Sequence, residues 1–140
     1  MISFPSRART FTLPKTASPY RMSEKLLRRG DIVLVPFPFT DQTATKVRPA
    51  LIVSADPQAE DLIVAFISSV IGKAESEKSN FILTPGNPDF ASTGLHQASV
   101  FRMSKLLTIK RTLILRRLGK VTPELQAQLD QCIKIALALF

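Results

Sequence analysis

Residues 30–54 read GDIVLVPFPFTDQTATKVRPALIVS, and two apolar runs stand out in them. Residues 32–39 and 49–53 are short, rich in β-branched and aromatic side chains, and bounded by turn formers, which predicts two strands. The connection, residues 40–47, is polar and leads through Asp41, Gln42 and three threonines to Lys46 and Arg48. An arginine at the root of a strand is held by a scaffold, and beside a polar loop it can present its planar fork to a phosphate. The plainer reading of Arg48 is an ion-pair partner at a strand end.

Downstream, residues 62–68 (LIVAFIS) form a continuous apolar run, as expected of a central strand buried on both faces. Residues 72–79 are small and charged and read as an exposed loop. Residues 80–84 read as a short strand, and Pro85-Gly86-Asn87-Pro88 forces a turn. Residues 90–95 suggest irregular or short helical structure. Residues 99–103 and 113–118 are the remaining strand candidates, and 105–110 fits neither period clearly. Several short strands separated by turns predict a small, strongly curved sheet or barrel.

The period then changes. Thr122 suits a helix N-cap, with Pro123 at the first helical position and Glu124 in the first turn, where the helix dipole favours an anion. From there Leu125, Leu129, Cys132, Ile133, Ala136 and Leu137 recur at three- and four-residue spacing, the signature of an amphipathic helix packed on a sheet. Residues 135–140 are apolar almost all round, more than one sheet face can cover, which points to a dimer contact.

Upstream, residues 1–28 are basic, nearly free of acids and broken by Pro5, Pro14 and Pro19. They are expected to be disordered or only locally ordered. Their composition suits an organelle transit peptide, a flexible basic arm for RNA, or a stretch preceding a natural start at Met22, the favoured reading. The 140 residues thus divide into a basic extension, 1–28, and one domain, 29–140.

Composition narrows the chemistry. The net charge of +8 favours polyanions, but much of the excess lies before residue 30. RNA affinity of the folded part must come from a local patch, for which Lys46, Arg48, Arg102, Lys105, Lys110, Arg111, Arg116 and Arg117 are the candidates. No apolar run approaches the eighteen or so residues of a membrane span, so no membrane partner is expected. The single cysteine, Cys132, forms no intrachain disulfide and fits core packing in a reducing cytoplasm. One histidine, His96, excludes a two-histidine ribonuclease mechanism within one subunit. No Cys/His cluster or dense Asp/Glu set has metal-ligand spacing, and there is no phosphate-binding glycine loop, so no metal or other cofactor is expected.

Gly30-Asp31-Ile32-Val33 opening one strand, Pro36-Phe37-Pro38-Phe39 closing it and Arg48-Pro49-Ala50-Leu51 opening the next resemble the PemK/MazF family of toxin ribonucleases. The resemblance continues in order through Ala65-Phe66-Ile67-Ser68-Ser69, Gly94-Leu95, Ser99-Val100, Lys105-Leu106 and Leu118-Gly119-Lys120-Val121. It implies an α+β fold, a small SH3-like β-barrel (a strongly curved antiparallel sheet) with a C-terminal helix, and a homodimer. It further implies the toxin of a type II toxin–antitoxin pair: a metal-independent endoribonuclease that cuts single-stranded mRNA to 2′,3′-cyclic phosphate and 5′-hydroxyl ends, inhibited by an acidic antitoxin segment.

By that resemblance the catalytic arginine falls on Arg48, and the second catalytic position, usually a threonine, falls on Ser68. Serine keeps the hydroxyl and loses the methyl that restricts its rotamer. Lys46, Asp41, Thr43, Thr45 and Ser69 are the candidates for shaping the RNA groove. Many family members carry a glutamate where this chain has Thr43 or Thr45, which leaves the general base open. Asp41 and Ser68 also have plainer roles, as a turn cap and as a strand-end hydroxyl satisfying backbone groups. His96 reads as a structural or surface residue, and Phe37 and Phe39 as core. Two further readings are a binding module without catalysis, such as a gyrase-poison-like protein binder, and an RNA binder that has lost cleavage.

Overall fold

The computed structural model describes residues 27–37, 46–72 and 76–139. Six strands, β1 (Asp31–Phe37), β2 (Lys46–Ile52), β3 (Asp61–Ser68), β4 (Asn80–Leu83), β5 (Ser99–Lys110) and β6 (Arg116–Lys120), precede one helix, α1 (Pro123–Leu137). They form one curled antiparallel sheet, a half-barrel in the order β4-β5-β3-β2-β1-β6, as the resemblance implies.

The sheet buries both faces, which is why β3 carries an unbroken apolar run. Leu62 and Val64 join Val33, Val35, Ala50, Ile52 and Ile109 in one cluster, with Leu27 and Ile114 closing over it. Ala65 and Ile67 turn the other way and meet Leu51, Phe101 and Met103 under Leu125, Leu129 and Cys132 of α1. The helix starts where the sequence signals it. Thr122 Oγ1 accepts the Leu125 N–H at 3.1 Å, and Pro123 occupies the first turn. Thr122→Ala is expected to lower unfolding free energy by about 1 kcal/mol, read as a shift in urea midpoint at unchanged slope.

Arg29 ties the start of the domain to the helix: its guanidinium contacts Asp130 at 2.7 Å, and its Nε donates to the Val53 carbonyl at 3.0 Å. Burial works against the Asp130 carboxylate, but hydrogen bonds from Arg29 and Gln126 hold its pKa below the usual range.

Two expectations need correction. Residues 113–118 are not one strand: Arg111–Leu113 is a 3-10 turn, and β6 begins only at Arg116 and runs to Lys120. With the sequence RRLGK it has almost no alternation of its own, and pairing with β1 defines it. The ambiguous residues 105–110 are strand, the second half of β5. Alternation fails there because β5 carries a bulge: Ala65 pairs with Leu106, but the next residue, Phe66, pairs with Arg102.

Ala91–Thr93, a single 3-10 turn, lies against β6 at backbone distance, and Gly94 and Gly119 make that approach possible. The strand-and-turn signals at residues 80–95 are otherwise met, and His96 is exposed.

Candidate active site

Arg48 stands opposite Val35 of β1. Paired residues share a sheet face, so Arg48 belongs to the face bearing Val35 and Ala50, away from α1. Its neighbour explains why the sheet opens here. Pairing of β2 with β3 covers only Ala50–Ile52, and Pro49, which lacks an N–H, lies where that ladder has stopped. The last pair is Ala50 with Phe66; two residues further along each strand, on the same face, are Arg48 and Ser68. Lys46, one turn of the pleat before Arg48, is exposed on that face as well.

Ser68 is half-buried, and its Oγ accepts the Val70 N–H at 3.0 Å, closing the bend that follows β3. This is the backbone-satisfying role of a strand-end hydroxyl, and it leaves the Oγ proton available to another acceptor. Ser69 follows in the bend and is exposed. Asp41, Thr43 and Thr45 belong to the connection 38–45, outside the described residues, as does Phe39.

Arg102 joins this set only in three dimensions. It pairs with Phe66 on one side and Asn80 on the other, so it faces the same way as Arg48 and Ser68. With a strand spacing of about 4.8 Å and a rise of about 3.3 Å per residue, the Cα atoms of Arg48 and Arg102 are roughly 12 Å apart on a flat sheet. Two arginine side chains can therefore converge over Phe66. Arg102 Nε is buried and has no hydrogen-bond partner among the described residues, a donor whose desolvation is uncompensated. The sequence signal was a cation between two buried apolar residues, Phe101 and Met103. Which way it faces depends on the bulge.

The other candidate cations separate. Arg111 is engaged in structure, donating from Nε to the Ala59 carbonyl at 3.0 Å and from its terminal nitrogen to the Pro57 carbonyl. Arg116 and Arg117 lie on β6, an edge strand on the far side of β1 from Arg48. Lys105 falls within the bulge and Lys110 at the far end of β5, both exposed. Among the described residues no three His, Cys, Asp or Glu side chains lie close enough together to hold a metal ion. No helix among them is long and apolar enough to cross a membrane.

Solved structures share this fold. An endoribonuclease in complex with its cognate antitoxin, from a mycobacterial species, superposes with a TM-score of 0.60 at 17% identity, covering 81% of this chain and 97% of that one. The Mycobacterium tuberculosis toxin MazF-mt6 gives 0.60 at 23% identity, over 79% of this chain and 98% of its own. A MazE-MazF structure from Deinococcus radiodurans gives 0.60 at 18%, over 81% and 98%. No curated protein matches the chain at a significant level. Residues 28–137 match the family described as PemK-like, MazF-like toxins of type II toxin-antitoxin systems, and with that match spanning most of its length the chain belongs to this family.

Proposed function

We propose that this toxin is an endoribonuclease that cuts single-stranded mRNA without a metal ion. The carrying observation is the pair of arginines, Arg48 and Arg102, brought by β2 and β5 to one face around Ser68 and Phe66. Cations and a hydroxyl are a donor set for phosphate oxygens rather than for a metal. In the reaction the ribose 2′-oxygen attacks the adjacent phosphorus, and the 5′-oxygen of the next nucleotide leaves and takes up a proton. The products are a 2′,3′-cyclic phosphate and a 5′-hydroxyl. Negative charge on the non-bridging oxygens grows in the pentacoordinate transition state, and a guanidinium fork held by the sheet stabilises it without reorganising. Arg48 is assigned this role and Arg102 supports it from the other side, while Ser68 Oγ–H donates to the same phosphate and Lys46 and Ser69 border the strand's path. The connection containing Asp41, Thr43 and Thr45 shapes the groove.

The reading extends to partners. Solved relatives are titled as complexes with an antitoxin or with MazE, which supports a cognate antitoxin here, with an acidic segment competing for the two arginines. The exposed Ile135, Leu137 and Leu139 at the end of α1 support a homodimer acting in the cytoplasm.

The test is cleavage of a long single-stranded RNA in EDTA with the new ends mapped. Arg102→Ala is expected to reduce the rate by on the order of 10²-fold, and Arg102→Lys to recover only part of it, because lysine keeps the charge and loses the fork. Unaltered rates in both variants would remove Arg102 from the site. The engagement of Ser68 Oγ with Val70 favours one competing reading, a binding module in which Ser68 is purely structural. That reading expects no cleavage by the wild type.

A further inference from the structure

A second cationic feature lies at the start of β1, away from Arg48. A cleft of about 500 Å³ opens between the beginning of β1, the end of β6 and the first turn of α1, with Arg28, Arg29, Asp31, Arg117, Lys120 and Gln126 in its walls. Its four cations face two carboxylates, and both carboxylates are engaged. Asp31, 4% exposed, accepts the Arg28 backbone N–H at 2.8 Å, and Asp130 accepts from Arg29 and Gln126. Burial raises the Asp31 pKa above the usual carboxylate range, although the Arg28 N–H and the charges of Arg117 and Lys120 oppose it.

The cations are less fully matched. Arg117 Nε is 3.7 Å from Asp31, longer than the 2.7–2.9 Å of a well-made charge-assisted hydrogen bond. Among the described residues no carboxylate lies within ion-pair distance of the Arg28 or Lys120 side chains. The positive end of α1 faces the same space. An edge strand gains protection from charge alone, but Arg28 and Arg29 precede β1 and do not guard the β6 edge. Four cations converging on a concavity from three elements make an anion receptor.

We infer that this cleft binds a backbone phosphate of the RNA substrate, a second anchoring point outside the cleavage site. The inference rests on the ribonuclease reading. Register supports it: Arg117 pairs with Val33 and Arg48 with Val35, on the two flanks of β1 and on one face, roughly 12 Å apart by strand spacing. A single strand carries a phosphate at every nucleotide, so a short stretch of one RNA reaches both.

The experiment measures the dissociation constant of a non-cleavable 2′-O-methyl RNA against salt for the wild type and for Arg28→Gln/Lys120→Gln. Neither side chain replaced makes an ion pair, so folding is spared. Lys110→Gln/Lys134→Gln removes the same charge elsewhere. The log–log slope is expected to shrink by about 1.4 in the cleft variant, two contacts at about 0.7 each, and to hold in the control, while KM for RNA cleavage rises in the cleft variant. An unchanged slope in the cleft variant, with wild-type binding and cleavage intact, overturns this inference and leaves the ribonuclease reading standing. An equal loss in the control also overturns it, as does an unchanged slope combined with lost binding of an oligoglutamate peptide, which would assign the cleft to an acidic protein segment. A wild type that neither binds nor cuts RNA overturns both readings.

Discussion

Arg48→Ala is expected to reduce RNA cleavage by at least about 10²- to 10³-fold while the protein remains folded. Arg48 sits at the opening end of the sheet, past the last β2–β3 pair, half-buried and outside both core clusters. Its truncation therefore removes a guanidinium from the candidate site without emptying a packed position. The measurement is single-turnover cleavage of RNA in EDTA, with thermal unfolding of the same samples as the fold check. Arg48→Lys is expected to recover little, since a point charge cannot bind two phosphate oxygens at once. Equal rates for wild type and Arg48→Ala would show that the arginine at the root of β2 is a structural cation. Toxicity surviving Arg48→Ala would point instead to a surface that acts by binding protein.

The largest stability effect is expected at Gly119. A Cβ there would lie 2.3 Å from the Ser92 carbonyl oxygen and 2.6 Å from the Thr93 carbonyl carbon, both backbone atoms that cannot swing aside. Across the same contact, Gly94 has φ +76° and would place a Cβ 2.2 Å from the Leu118 carbonyl oxygen. The two glycines let the turn Ala91–Thr93 lie flat on β6, where Ser92 Oγ donates to the Lys120 carbonyl at 2.9 Å. Gly119→Ala is expected to cost about 3 kcal/mol and lower Tm by roughly 10 °C. Gly86→Ala, where nothing lies within 4 Å of the added carbon, should stay within about 0.5 kcal/mol. Similar Tm values for the two variants would mean that the turn is not held against β6 in solution.

Much of the architecture is a local matter and was legible. The buried segments of β1, β2 and β3 follow from apolar runs of strand length, and the unbroken run in β3 anticipates a strand packed on both faces. The helix follows from Thr122, Pro123 and a three- to four-residue apolar period. Arg48 was legible too, because it sits at the root of a strand that the sequence defines. What the chain could not decide by itself was facing. Along β5, Leu107 and Ile109 pack on the Arg48 side of the sheet, and strict alternation from them would send Arg102 toward the helix and Phe101 away from it. The bulge shifts the pairing sum with β3 by three residues, an odd number, so the alternation inverts. Phe101 and Met103 then fill the core under α1, and Arg102 turns to the Arg48 side. A bulge forms where burying one set of side chains against distant strands outweighs a lost ladder bond, and that balance is set by partners far away in sequence. β6 and the cationic cleft beside it have the same origin: RRLGK has no preference strong enough to make it a strand, and β1 and the helix start supply the partners that do.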